Sequence, residues 1–292
     1  MTDAIRVLVR RGTTVEAVHR VHAVAVRDGV VVAERGDAGI VCLFRSSAKP
    51  FQALPLARAR EDLDDRDLAI ASASHLGGPD HLAAVEALLA KASATEDELE
   101  CGPEPTRLRH NCSGKHAGML ALCDARGWRR PGYRLAGHPV QEACRVEVAA
   151  AAEVAPHELP TAVDGCGVVT FALPLERMAH AFSRLERLEA GDRVAAAMRA
   201  HPELVRGEGA PDTVLMRRAA GWTAKGGAEG LLCAVSPDGV GVAVKVEDGA
   251  GRAVGPALAA FLAGLGVDLP DLAIAAVSNS RGETVGEIVT EP

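Results

Sequence analysis

IRVLVRRGTTVEAVHRVHAVAVRDGVVVAE, residues 5–34, decides the fold. Its apolar runs at 5–10, 21–26 and 30–34 are too short for helices and rich in Val, so they read as strands. Arg27-Asp28-Gly29 supplies hairpin-turn chemistry between the second and third runs. A further strand, GIVCLF at 39–44, follows, and the chain begins as an antiparallel meander. From about 80 to 220 the period becomes helical: DHLAAVEALLAKA, GKHAGMLALCDA, PVQEACRVEVAAAAEV, LERMAHAFSRLERL and GDRVAAAMRAHPEL each place apolar residues three or four apart. Strands return near 229–247, where GLLCAVS and GVAVKVE flank Pro237-Asp238-Gly239, and an amphipathic helix follows at about 254–265. The sheet layer is thus expected from about 1–45 and 225–250, with helices inserted between. Strand and helix do not alternate, which disfavours a doubly wound parallel sheet and points to an α+β layer arrangement. The Pro-broken stretches 102–105 and 155–160 read as loops within a single domain spanning 1–292.

The composition narrows the function. Of 292 residues 48% are hydrophobic and 24% charged, enough for a large core, while aromatics at 3% and a net charge of −7 argue against a nucleic-acid partner. No apolar run reaches the roughly 18 residues that span a bilayer. Seven cysteines at 42, 101, 112, 123, 144, 166 and 233 match no disulfide framework, which suits a reducing, cytoplasmic setting. Only five of the 32 basic residues are Lys: Lys49, Lys91, Lys115, Lys225 and Lys245. In an Arg-rich chain these are the candidates for work that needs an amine able to lose its proton.

Three of the five fall in motifs. Arg45-Ser46-Ser47-Ala48-Lys49-Pro50 ends a strand, and its Ser-x-x-Lys spacing sets a hydroxyl one helical turn from an amine that can take its proton. An N-cap Ser with a surface Lys is the ordinary alternative. IASASHLGG brings Ser74 and His75 up to two glycines, and Lys225-Gly226-Gly227 offers a second amine beside small residues. Ser-x-x-Lys followed far downstream by Lys-x-Gly is the layout of penicillin-recognising serine hydrolases. HNCSGKHAG at 110–118 places Cys112, Lys115 and His116 on one face of a helix beginning there, and Cys166 lies in Val163-Asp164-Gly165-Cys166-Gly167. Two thiolates can hold zinc, but Cys-x-x-Lys is not a standard ligand pair, and by spacing alone buried inert cysteines are the better fit. HPELVRGEG at 201–209, leading to Asp212-Thr213, reads as a loop over a cleft or as a plain connection.

Together RSSAKPFQALP, ASASH, HNCSGKHAGML, VDGCGVVTFALPL, HPELVRGEG with DTVLM, and KGGAEG resemble the bacterial L-asparaginases of the Rhizobium thermolabile type, in order over most of the chain. The resemblance implies a serine β-lactamase-like and glutaminase-like fold and hydrolysis of L-asparagine in a cytoplasmic homodimer. It implies two Ser-Lys pairs, Ser46 with Lys49 and Ser74 with Lys225, and a zinc ion held by Cys112, Lys115 and Cys166. Arg45, His116 and Asp164 would contact substrate, Asp164 suiting an α-ammonium and Arg45 an α-carboxylate. The chain departs from the family at Ala210, where Arg is usual after Gly-x-Gly. Two rival functions share parts of the pattern: another serine acyl-enzyme hydrolase of β-lactamase or peptidase kind, and a non-catalytic, zinc-stabilised amino-acid-binding protein.

Overall fold

A computed structural model of the chain describes residues 2–291. The meander forms as its pattern requires: β1 (Ile5–Arg11), β2 (Thr14–Arg27) and β3 (Val30–Arg35) pair in antiparallel succession. Asp28 and Gly29 both take positive φ, 48° and 79°, as a two-residue hairpin turn matching the strand twist demands. The fourth expected strand is shorter and sits elsewhere. It is β4 (Val41–Leu43), which joins β5 (Thr161–Val163) and β6 (Val169–Pro174) in a separate three-stranded sheet.

Between β4 and the returning strands lie α1 (Lys49–Ala59), α2 (Asp65–Ala71), α3 (Pro79–Lys91), α4 (Ser113–Arg126), α5 (Pro139–Ala152), α6 (Leu175–Arg184), α7 (Gly191–Ala200), α8 (Pro202–Val205) and α9 (Pro211–Arg218). The strands then return earlier than the pattern suggests, as β7 (Thr223–Gly227), β8 (Leu231–Val235) and β9 (Gly241–Val246). After α10 (Val254–Ala263) and the short α11 (Pro270–Ala273) comes a hairpin of β10 (Ile274–Ser278) and β11 (Thr284–Thr290) that no periodicity announces. The main sheet has eight strands in the order β10-β11-β1-β2-β9-β8-β7, with β3 also on β2, and every pairing is antiparallel. It is built from both chain ends with a helical layer against it, an α+β architecture. Among the described residues no helix is long and apolar enough to cross a membrane.

Close contacts set the layers. A Cβ at Gly241 would lie 1.8 Å from the Ala179 carbonyl oxygen, so the glycine lets α6 press directly onto β9. Phe44, Phe51 and Phe182 meet with ring centroids 5.3–6.2 Å apart and wedge the start of α1 against α6. At Gly114 a Cβ would come within 2.2 Å of the Ile70 carbonyl oxygen, so the first turn of α4 lies on the end of α2. That approach carries the HNCSGKH motif to the segment holding Ser74.

Candidate active site

Each reactive side chain is placed by a different element. Lys49 opens α1 directly after a single 3-10 turn at Arg45–Ala48. Ser74 follows α2 in extended chain held by tertiary backbone bonds: Ser74 N–H donates to the Val205 carbonyl at 2.8 Å, His75 N–H to Asn111 at 3.1 Å and Leu76 N–H to Arg206 at 3.0 Å. Val205 and Arg206, at the end of α8, are therefore a backbone strap for the serine. Lys225 lies within β7, and Cys112 and Lys115 sit at the cap and in the first turn of α4. The turn carrying Cys166 closes through Gly167 N–H to the Asp164 carbonyl at 2.8 Å, with Gly167 at φ 86°.

These elements converge on Ser74. Its hydroxyl oxygen lies 2.9 Å from Lys49 Nζ and 3.0 Å from Lys225 Nζ, and both lysines are fully buried. Lys49 also reaches the Ala73 carbonyl and, at 3.3 Å, Cys112 Sγ; Lys225 donates to the Gly226 carbonyl at 2.7 Å. The Cys112 and Cys166 side chains hydrogen-bond each other, and Lys115 Nζ stands 3.1 Å from Cys166 Sγ. One line of contacts thus runs Lys225, Ser74, Lys49, Cys112, Cys166, Lys115. The expected pairing of Ser46 with Lys49 is not made: among the described residues the Ser46 hydroxyl has no hydrogen-bond partner, and Lys49 turns to Ser74. A buried amine must use the acceptors the core provides, whereas a partly exposed hydroxyl can be met by water.

Burial sets the proton affinities. It pushes the Lys225 amine down to about 7, against the opposing pull of Asp212 and with the help of Lys49. It also lowers Lys49, partly offset by Cys112. Cys166 is driven down to about 4 by the hydrogen bond with Cys112 and by the Lys115 cation, despite its burial. Burial opposes the charge on Lys115, but Cys166 and Cys112 outweigh it and hold that amine above its ordinary value. The cluster therefore pairs amines able to lose a proton around Ser74 with a thiolate and an ammonium beside it.

The residues expected to meet substrate divide. Arg45 Nε donates to Asp164 Oδ1 at 2.7 Å, and Lys115 and Arg45 hold the Asp164 carboxyl below its usual range against the effect of burial. A cation and a carboxylate stand side by side, each with further hydrogen-bonding atoms. His116 is fully buried, with Nδ1 2.6 Å from the Tyr133 hydroxyl, and its Nε2 has no partner among the described residues. Tyr133 OH accepts the Glu100 N–H at 2.8 Å, leaving its own proton for His116 Nδ1 and the imidazole proton on Nε2. Sequence reasoning missed Tyr133, although it is the chain's one tyrosine. Ser47 and Asp212 fall within the quoted motifs, yet neither has a role readable from sequence; the Ser47 hydroxyl donates to the Lys225 carbonyl at 2.9 Å. His75 is bound structurally: Nδ1 accepts the Gly77 N–H at 3.1 Å and Nε2 faces Ser113 Oγ at 2.8 Å.

The family model described as L-asparaginase II matches residues 7–290, nearly the whole chain and every residue of this cluster. The chain belongs to the L-asparaginase II family. No curated protein matches this L-asparaginase II chain. A solved structure titled "Crystal Structure Analysis of Mglu in its native form" is similar at 16% identity and a TM-score of 0.28, covering 86% of this chain and 66% of that chain. The chain thus spans less than two thirds of that protein, a likeness that fixes neither fold nor chemistry.

Among the described residues no group of three His, Cys, Asp or Glu side chains is placed to hold a metal. A metal in this L-asparaginase II chain would need an amine as third donor, and Lys115 beside Cys166 and Cys112 supplies one. Two sulfurs and a nitrogen converge in a buried site, one sulfur already a thiolate, a donor set that fits zinc once Lys115 gives up its proton.

Proposed function

We propose that this protein hydrolyses L-asparagine to aspartate and ammonia by serine acyl transfer, as one catalytic domain of serine β-lactamase-like kind. The observation that carries the proposal is Ser74 Oγ held at 2.9 and 3.0 Å between two buried lysine amines, in a chain of the L-asparaginase II family. One neutral amine takes the Ser74 proton as Oγ bonds to the side-chain amide carbon. The carbon–nitrogen bond then breaks, and the amide nitrogen leaves as ammonia with a proton from a lysine ammonium. Water, deprotonated by the same base, cleaves the aspartyl ester and restores Ser74. With Lys225 pushed down to about 7, its base form accumulates as pH rises through that value, and kcat/KM rises with it. Family membership argues against the β-lactamase or peptidase reading. Ammonia release from L-asparagine by the purified protein tests the proposal, and no release would refute it.

Selectivity follows from the Arg45 and Asp164 pair. A carboxylate and a cation bound together fit the two α-groups of an amino-acid zwitterion, which fixes the distance from Cα to the reacting carbon. Glutamine's extra methylene then displaces its amide, and a displacement of about 1 Å costs roughly a hundredfold in rate. We expect kcat/KM for asparagine to exceed that for glutamine by about that factor. Equal values would show that the pair does not set the register.

Cys112, Lys115 and Cys166 would hold zinc, which when bound supplies a positive charge for orienting substrate rather than a strong Lewis acid, because thiolates donate much of their charge to it. Elemental analysis of protein purified without chelator should give one zinc per chain, and Cys112→Ala and Cys166→Ala should lose it. Binding should also weaken at acid pH, because protons compete with the metal for the Lys115 amine, which must be neutral to bind. Metal-free protein with unaltered kinetics and melting temperature would remove zinc from the account.

A further inference from the structure

We propose that Asp212 is a positioning residue for Lys225, aiming its amine at Ser74 and tuning how readily that amine holds a proton. The inference rests on the serine acyl-transfer reading and assigns a role to a residue that the reading leaves unused. Asp212 lies in the first turn of α9 and is 1% exposed. Its Oδ2 accepts the Gly226 N–H at 2.8 Å and stands 3.9 Å from Lys225 Nζ, while Oδ1 accepts its neighbour Thr213 N–H at 3.2 Å.

The approach is built into the chain. A Cβ at position 226 would lie 3.1 Å from Asp212 Oδ2, so glycine there leaves room for the carboxylate, and Thr213 Oγ1 ties α9 to the Pro202 carbonyl at 3.1 Å. The other groups facing Lys225 are of a different kind. Lys49 of α1 and Arg206 after α8 repel a proton on it, and Cys112 at the cap of α4 attracts one. Cys233 of β8, opposite Lys225 in register, has its thiol pushed far up by burial. Ser74 is neutral, and so is Ser47, which bonds the Lys225 carbonyl. Asp212 is the one carboxylate in the set, and it opposes the burial that drives the amine to about 7. A catalytic amine needs this balance: without the carboxylate it would hold its proton too weakly to return one to the leaving nitrogen.

The test uses the small lysine count. With lysine labelled at 13Cε, the five lysines give five signals, and Lys225→Met assigns the one from Lys225. Its titration midpoint in Asp212→Asn should fall by roughly one pH unit or more, the scale of an opposite charge at about 4 Å. The rise of kcat/KM for asparagine should move to lower pH by the same amount, with a lower plateau. Asp212→Ser, also neutral, gives the same reading should Asp212→Asn fail to fold. An unmoved midpoint in a folded neutral variant would overturn the role of Asp212, whatever the protein turns over. A moved midpoint with an unmoved pH profile would instead overturn the catalytic role of Lys225.

Discussion

Ser74→Ala is expected to lower kcat for asparagine by about 10^4-fold or more, the scale on which enzymes lose a covalent nucleophile. The variant removes the one oxygen that both buried amines reach, and alanine fits the same space, so the thermal midpoint should hold. Ser46→Ala makes the contrast. The Ser46 hydroxyl bonds neither amine, so its loss should cost at most about tenfold, the worth of one ordinary hydrogen bond. Steady-state rates for the two variants, with melting curves to confirm folding, decide between the two serines. Equal large losses would mean that Ser46 swings into the chemistry when substrate binds. A large loss in Ser46→Ala alone would reverse the assignment.

Lys225→Arg and Lys49→Arg should each lose about 10^3-fold in kcat, despite keeping a positive charge. A guanidinium stays protonated across the working pH range and cannot take the Ser74 proton. Both lysines are fully buried, so a bulkier head group also strains its surroundings. Lys225→Met and Lys49→Met separate the two effects, because Met matches the length of the stem without adding bulk. If the Met variants are as inactive as the Arg variants yet melt like the parent, proton transfer is what has been lost. Retention of parental turnover in the Arg variants would exclude the lysines as proton carriers.

The sequence carries the fold's ends-to-middle plan, because short Val-rich runs and the Asp28-Gly29 turn are local signals. Where it falls short, the deciding contacts are tertiary. The first half of β2 is largely exposed, so it shows no clear alternation, and the β10–β11 hairpin is half open to solvent with Gly286 and Glu287 breaking its pattern. Residues 41–43 do form a strand, but its partner is β6, far along the chain. The site behaves alike. HNCSGKH and DGCG announce a cluster, and Cys112, Lys115 and Cys166 do converge. Ser-x-x-Lys suggests a partnership one helical turn long, yet Lys49 finds its hydroxyl in Ser74, brought in by the strap at Val205 and Arg206. Asp212 was visible only as part of DTVLM, since its role depends on β7 lying beside α9.

The most direct test of the account is to quench the protein within its first turnovers on L-asparagine and map the covalent product by peptide mass spectrometry. Catalysis through Ser74 requires an aspartyl ester on the peptide carrying Ser74, absent from Ser74→Ala and accumulating in variants slow to admit water. An ester on Ser46, or steady ammonia release with no acylated serine at any time, would contradict it.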